Sequence, residues 1–103
     1  MLSEEEKFNL ISQMRRAATS VTYNIAEGHG RYHYQENMQF LRQSRGSLEE
    51  LLDDINICLD ENYCASIDLE QLKTEGFDLI HRINGYVVYL RKMKQVEKAV
   101  ESN

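Results

Sequence analysis

The chain has 103 residues, 42% of them hydrophobic, and twelve Lys+Arg set against seventeen Asp+Glu give a net charge of −5. That length holds one domain with one core, and the apolar content excludes a disordered chain. The acidity excludes nucleic-acid binding through the overall field, so any such binding has to use a local basic patch. Proline is absent and only five glycines occur. A chain with so few forced breaks favours long helices and an all-α fold. Residues 31–62 hold three basic and seven acidic groups, whereas residues 63–103 hold six of each, so the middle supplies most of the excess negative charge.

The start, Met1-Leu2-Ser3-Glu4-Glu5-Glu6, lacks the basic-then-apolar order of a signal peptide, and no apolar run approaches the ~18–20 residues of a membrane span. A cytoplasmic location without membrane contact is the expectation. Two cysteines, Cys58 and Cys64, are too few for a disulfide scaffold and are not spaced as a redox pair. Cys58 falls beside an apolar seam and reads as a core filler.

The first helix is expected over about residues 4–27. Ser3 followed by Glu6 matches a capping box, and Ile11, Met14, Ala18, Val21 and Ile25 form an apolar seam in steps of three and four. Gly28 and Gly30 are expected to stop the helix in the left-handed conformation. A second helix over about 34–62 carries the seam Met38, Leu41, Arg45, Leu48, Leu52, Ile55 and Leu59, a bundle heptad with one arginine at an apolar position. A third helix over about 68–98, capped by Asp68 with Gln71, carries Leu69, Leu72, Gly76, Ile80, Ile83, Val87 and Leu90. A second stripe, Leu79, Tyr86, Tyr89 and Met93, widens its apolar face. These elements predict one antiparallel up-down helical bundle over 1–103. The third helix has more apolar surface than two partners cover, which points to a further helix from another chain or to an oligomer interface.

Arg45 on the seam needs a carboxylate or several carbonyls. Asn24 and Glu27 are candidate partners, although Glu27 lies off the first helix's seam. Gly46 and Ser47 are expected to face Ala17 and Ala18 and to let two helices approach closely. His29 and His33 stand four apart with Glu36 beyond, a spacing that serves a metal only on a continuous helix. Glu49, Glu50, Asp53 and Asp54 read as a solvated acidic face, because the Glu-x-x-His pattern of di-iron bundles is absent. No catalytic residue, metal site or cofactor is indicated. Basic groups at Arg15, Arg16, Arg31 and Arg42, the cluster Arg91, Lys92, Lys94 and Lys98, and the aromatics Tyr32 and Tyr34 are candidates for contact with structured or single-stranded RNA. The cluster also suits a helix C-terminus.

Three stretches in order carry a family resemblance. They are residues 13–18 (Gln-Met-Arg-Arg-Ala-Ala), 24–31 (Asn-Ile-Ala-Glu-Gly-His-Gly-Arg) and 40–51 (Phe-Leu-Arg-Gln-Ser-Arg-Gly-Ser-Leu-Glu-Glu-Leu). The chain resembles the bacterial four-helix-bundle proteins of ribosomal RNA gene intervening sequences, whose relatives include the accessory variability protein of diversity-generating retroelements. The resemblance implies an up-down bundle that assembles into a homo-oligomer, often a pentamer. For the retroelement relatives it implies contact with a reverse transcriptase and with RNA or DNA. It falls on Asn24, Glu27, Gly28, Arg31, Arg45, Gly46 and Ser47 as fold- or assembly-determining residues, and the excess apolar face adds Tyr86 and Tyr89. The family has one further helix ahead of the Glu6-Lys7-Phe8 segment. A misassigned start codon, a trimmed sequence, or completion of the bundle by another subunit each explain the difference. The retroelement proteins tend to be basic, whereas this chain is acidic. The expectation is therefore a non-enzymatic oligomeric adaptor, with a nucleic-acid-binding accessory protein as the alternative.

Overall fold

The computed structural model describes residues 2–63 and 65–102, with the side chain of Ser102 left out; Cys64 lies outside the described residues. The chain is all-α. Helix α1 spans Glu4–His29, α2 spans Tyr34–Asp60 and α3 spans Ser66–Ser102, joined in an up-down order. At 1.5 Å per residue, α1 and α2 run about 40 Å and α3 about 55 Å. The difference leaves the end of α3 projecting.

Local chemistry sets the ends. Ser3 caps α1, with the Glu6 amide donating to Ser3 Oγ at 3.1 Å and the hydroxyl returning to Glu6 Oε1 at 3.2 Å. Gly30 closes α1 at φ −78, not in the left-handed region expected of it. Gly28 lies inside the helix, where a Cβ would meet Asn37 Oδ1 at 2.7 Å and Phe40 Cβ at 2.9 Å. Its role is close approach, not termination. The left-handed residue among those described is Asn62, φ 55, in the α2–α3 turn. Asp68 sits within the first turn of α3 and does not cap it, because α3 starts two residues earlier at Ser66.

α2 is the centre of the fold. It packs against both α1 and α3, whereas no Cα of α1 comes within 8 Å of a Cα of α3 among the described residues. Overall extents of 63 × 23 × 14 Å fit three helices in an open V, like three corners of a square four-helix bundle. One apolar cluster joins all three helices through Val21, Met38, Leu41, Leu48, Ile83, Val87 and Leu90. A second, nearer the other end, uses Leu10, Leu52, Ile55, Cys58 and Leu69.

The α1–α2 contact combines Leu10 and Val21 with small and polar residues. Leu10, Ala17, Val21, Asn24 and Gly28 are the buried positions of α1. Ser44 is completely buried and donates to the Val21 carbonyl at 2.8 Å; Ser20 and Ser47 hydroxyls meet at 2.7 Å. Small side chains let the helices close up, and that rotates α1. Its expected seam of Ile11, Met14, Ala18 and Ile25 is turned aside, with Val21 the one member buried. Ile11 and Ala18 are exposed, Met14 and Ile25 half-buried. This is a correction with a consequence. Met14 and Ile25 pack only in part against the two clusters, with Met14 Sδ 3.8 Å from Cys58 Sγ of α2.

Candidate assembly surface and basic end

Met14 and Ile25, the half-buried members of the expected α1 seam, border a groove whose other wall is α3. One part is a cavity of about 260 Å³ with Met14 on one side, Leu72, Gly76 and Leu79 on the other, and Leu48, Leu51 and Leu52 beneath. A second, of about 220 Å³, lies between Ile25 and His29 on α1 and Arg82, Ile83 and Tyr86 on α3, over Leu41. Leu72 and Tyr86 are exposed, and Tyr86 stacks on Tyr89 with ring centroids 6.0 Å apart. The groove is the empty corner of the V, and its lining is mainly apolar, with Glu75, His29 and Arg82 among it.

Arg45 does not bury itself toward α1. It is half-buried on the α3 side and donates from Nη1 to Asn84 Oδ1 at 2.6 Å. Its candidate partners are engaged elsewhere: Asn24 Nδ2 donates to the Ser20 carbonyl at 2.8 Å and to Ser20 Oγ at 3.0 Å, while Glu27 accepts from Arg31 at 3.3 Å. The reason is register. Ser44, one residue earlier, takes the position facing α1, so Arg45 falls toward α3. Gly46 is exposed, and a Cβ there would meet nothing within 4 Å. Of the pair expected to permit close approach, only Ser47 lies at the α1–α2 contact.

The basic residues divide into separate groups. Arg15 and Arg16 are exposed on α1 and, with Thr19, Ser20 and Tyr23, border a shallow depression. Arg16 also edges a polar cleft of about 450 Å³ with Gln13, Ser47, Glu50, Asp53 and Asp54, so it meets the acidic face of α2. Arg42 is exposed on α2. Arg31 is held at the α1–α2 turn by Glu27, by Glu36 at 4.0 Å, and by the Phe40 ring 4.8 Å beneath its guanidinium.

At the projecting end the fold does something the sequence order hides. Lys94 and Lys98 of α3 come beside Tyr32, His33 and Tyr34, about sixty residues earlier, around a cleft of about 540 Å³ that also includes Gln35, Glu97 and Glu101. Lys94 Nζ donates to Gln35 Oε1 at 2.8 Å. Tyr32 is 91% exposed and meets His33 edge-on. Arg91 and Lys92 are exposed on the preceding turn of α3. His29 and His33 do not share a helix face: His29 is the last residue of α1, and His33 is the residue before α2.

Sequence reasoning missed Ser44, Asn84, Gln35 and Asn37. The Asn37 Oδ1 is buried without a hydrogen-bond partner, pressed against Gly28. Single polar residues inside helical segments gave no signal of these contacts.

On the acidic face, the Asp54 carboxyl is raised above its ordinary range, by burial first and then by the charges of Asp53 and Glu50. A raised carboxyl disfavours the folded state once ionised, so stability is intact below the ordinary carboxylate range and falls as pH rises through it. Asp54→Asn is expected to raise urea-unfolding stability near pH 7 by about 0.2–0.5 kcal/mol, the scale of a like-charge i,i+4 pair. The gain should vanish below about pH 3, where the carboxyl is protonated whether the chain is folded or not.

No helix among the described residues is long and apolar enough to cross a membrane. Comparisons with curated proteins and with solved structures return no match. The model of the 23S rRNA-intervening sequence protein family matches residues 1–85, which include α1, the α1–α2 turn, α2 and α3 as far as Gly85, and so the α3 wall of the groove apart from Tyr86. With that match over most of its length and an all-helical fold around it, the chain belongs to the 23S rRNA-intervening sequence protein family.

Proposed function

We propose that this chain is a non-enzymatic, cytoplasmic, homo-oligomeric adaptor in which another copy covers the groove between α1 and α3. A single observation carries the reading: apolar side chains line that groove from both sides, Met14 and Ile25 of α1 opposite Leu72, Leu79 and Tyr86 of α3, and Ile11 of α1 is exposed as well. Contiguous apolar surface of this kind stabilises a protein only when something removes it from water. A ring of five is the assembly that the family resemblance implies. Light scattering on the purified chain at micromolar concentration should give a mass of several chains. A mass of one chain overturns the reading.

A second reading, a nucleic-acid-binding accessory protein that partners a reverse transcriptase, is favoured by the approach of Lys94 and Lys98 to the exposed Tyr32. Amines placed beside an aromatic face suit a phosphate with its base stacked alongside. Binding of a structured RNA should weaken linearly with log salt. Lys94→Ala with Lys98→Ala should reduce the slope by about two, since each phosphate contact contributes about one. Absence of a mobility shift at low salt excludes it.

A further inference from the structure

The groove does not end with α1. Past Tyr86, α3 runs on for sixteen residues, and the stripe that walls the groove continues along it as Tyr86, Tyr89, Met93, Val96 and Val100. These steps are 3, 4, 3 and 4, the repeat of a coiled-coil seam. α3 meets α2 along a different stripe, through Ile83, Val87 and Leu90, and Lys94 donates to Gln35 in the first turn of α2. Val96 and Val100 are 54% and 69% exposed, Tyr89 is exposed, and α1 has already finished at His29. The family match stops at residue 85, one residue before this seam begins.

We propose that residues 86–100 of α3 form a parallel coiled-coil seam with the same residues of a second copy of this chain. The proposal rests on the assembly reading above and names the surface and its orientation. Charge decides both the occupant and the direction. With Tyr86, Met93 and Val100 as one core position and Tyr89 and Val96 as the other, Lys92 and Glu97 flank the seam on opposite sides. Parallel packing sets the residue before one core position beside the residue five further along in the partner, which brings Lys92 against Glu97 of the second copy. Antiparallel packing about the middle of the seam brings two Lys92 side chains together instead. The sequence flanking the seam therefore complements itself in one direction only.

Single cysteines test this in a background carrying Cys58→Ala and Cys64→Ala and shown by circular dichroism to remain helical. Tyr89→Cys and Val96→Cys occupy equivalent seam positions seven residues apart; both sites are exposed in the single chain, so neither substitution disturbs its own core. In the parallel seam each cysteine faces its own counterpart. Both variants should cross-link to themselves under mild oxidation, about tenfold or more faster than Val88→Cys on another face of α3. Cross-linking of only one of the two means an antiparallel crossing and overturns the proposal. If neither cross-links faster than Val88→Cys while light scattering gives several chains, the seam is wrong and the assembly reading survives. A mass of one chain for the background overturns both.

Discussion

Leu41→Ala is expected to destabilise the chain by about 2–5 kcal/mol, measured as a lower midpoint in urea at an unchanged slope. Leu41 is 2% exposed and lies in the cluster that all three helices share, between Val21 of α1 and Ile83, Val87 and Leu90 of α3. Truncation removes the transfer free energy of the lost carbons and leaves a void. The void is hard to fill, because α2 is already held on both sides and its neighbours belong to different helices. A domain of this size is stable by about 5–15 kcal/mol, so the loss is a large share of the total. Leu72→Ala removes the same atoms from an exposed position on the groove wall. It should cost far less in the single chain, and the contrast between the two variants separates core from surface.

Gly28→Ala comes next, and its sign is set by a competition. In a helix interior alanine is more favourable than glycine by about 1 kcal/mol, so propensity alone predicts a gain. Space opposes it. The new methyl would lie 2.9 Å from Phe40 Cβ, 2.7 Å from Asn37 Oδ1 and 3.2 Å from the Asn37 carbonyl oxygen. A Cβ and a backbone oxygen cannot swing away as a side-chain tip can, so α1 and α2 have to separate. Overpacking of this kind costs about 1–3 kcal/mol, which leaves a net loss of up to about 2 kcal/mol. Gly46→Ala is the control: nothing lies within 4 Å of its Cβ, and it should stabilise by up to about 1 kcal/mol. If the two substitutions shift the thermal midpoint in the same direction, the close crossing at Gly28 is wrong.

The helical fold was legible because apolar side chains recur every three or four residues over long proline-free stretches. What the periodicity could not reveal is which of two adjacent stripes a helix spends on its neighbour. On α1 Ile11, Met14, Ala18, Val21 and Ile25 suggested the contact, but of these only Val21 is buried, and Leu10, Ala17, Asn24 and Gly28 complete it, because close approach at the second half of the helix rewards small side chains. On α2 the same one-residue difference put Ser44 in the core and sent Arg45 to Asn84. Gly28 read as a stop and proved to be a point of contact. The basic and aromatic residues were visible individually, but the approach of Lys94 to Tyr32 and Gln35 depends on how far α3 extends past α2, which no local pattern encodes. The second stripe of α3 was legible, and the open face was implied by it. That α1 sets Met14 and Ile25 on the other wall was not.

The central physical claim is that three helices leave a fourth corner open and that burying it stabilises the folded chain. Thermal unfolding followed by circular dichroism from about 1 to 100 µM protein tests this without altering a residue, because anything that binds only the folded state raises its midpoint by mass action. The midpoint should climb steadily with concentration. A midpoint that stays constant across that range, together with a cooperative transition, would mean that the V stands alone with its groove exposed to water, and would contradict the account.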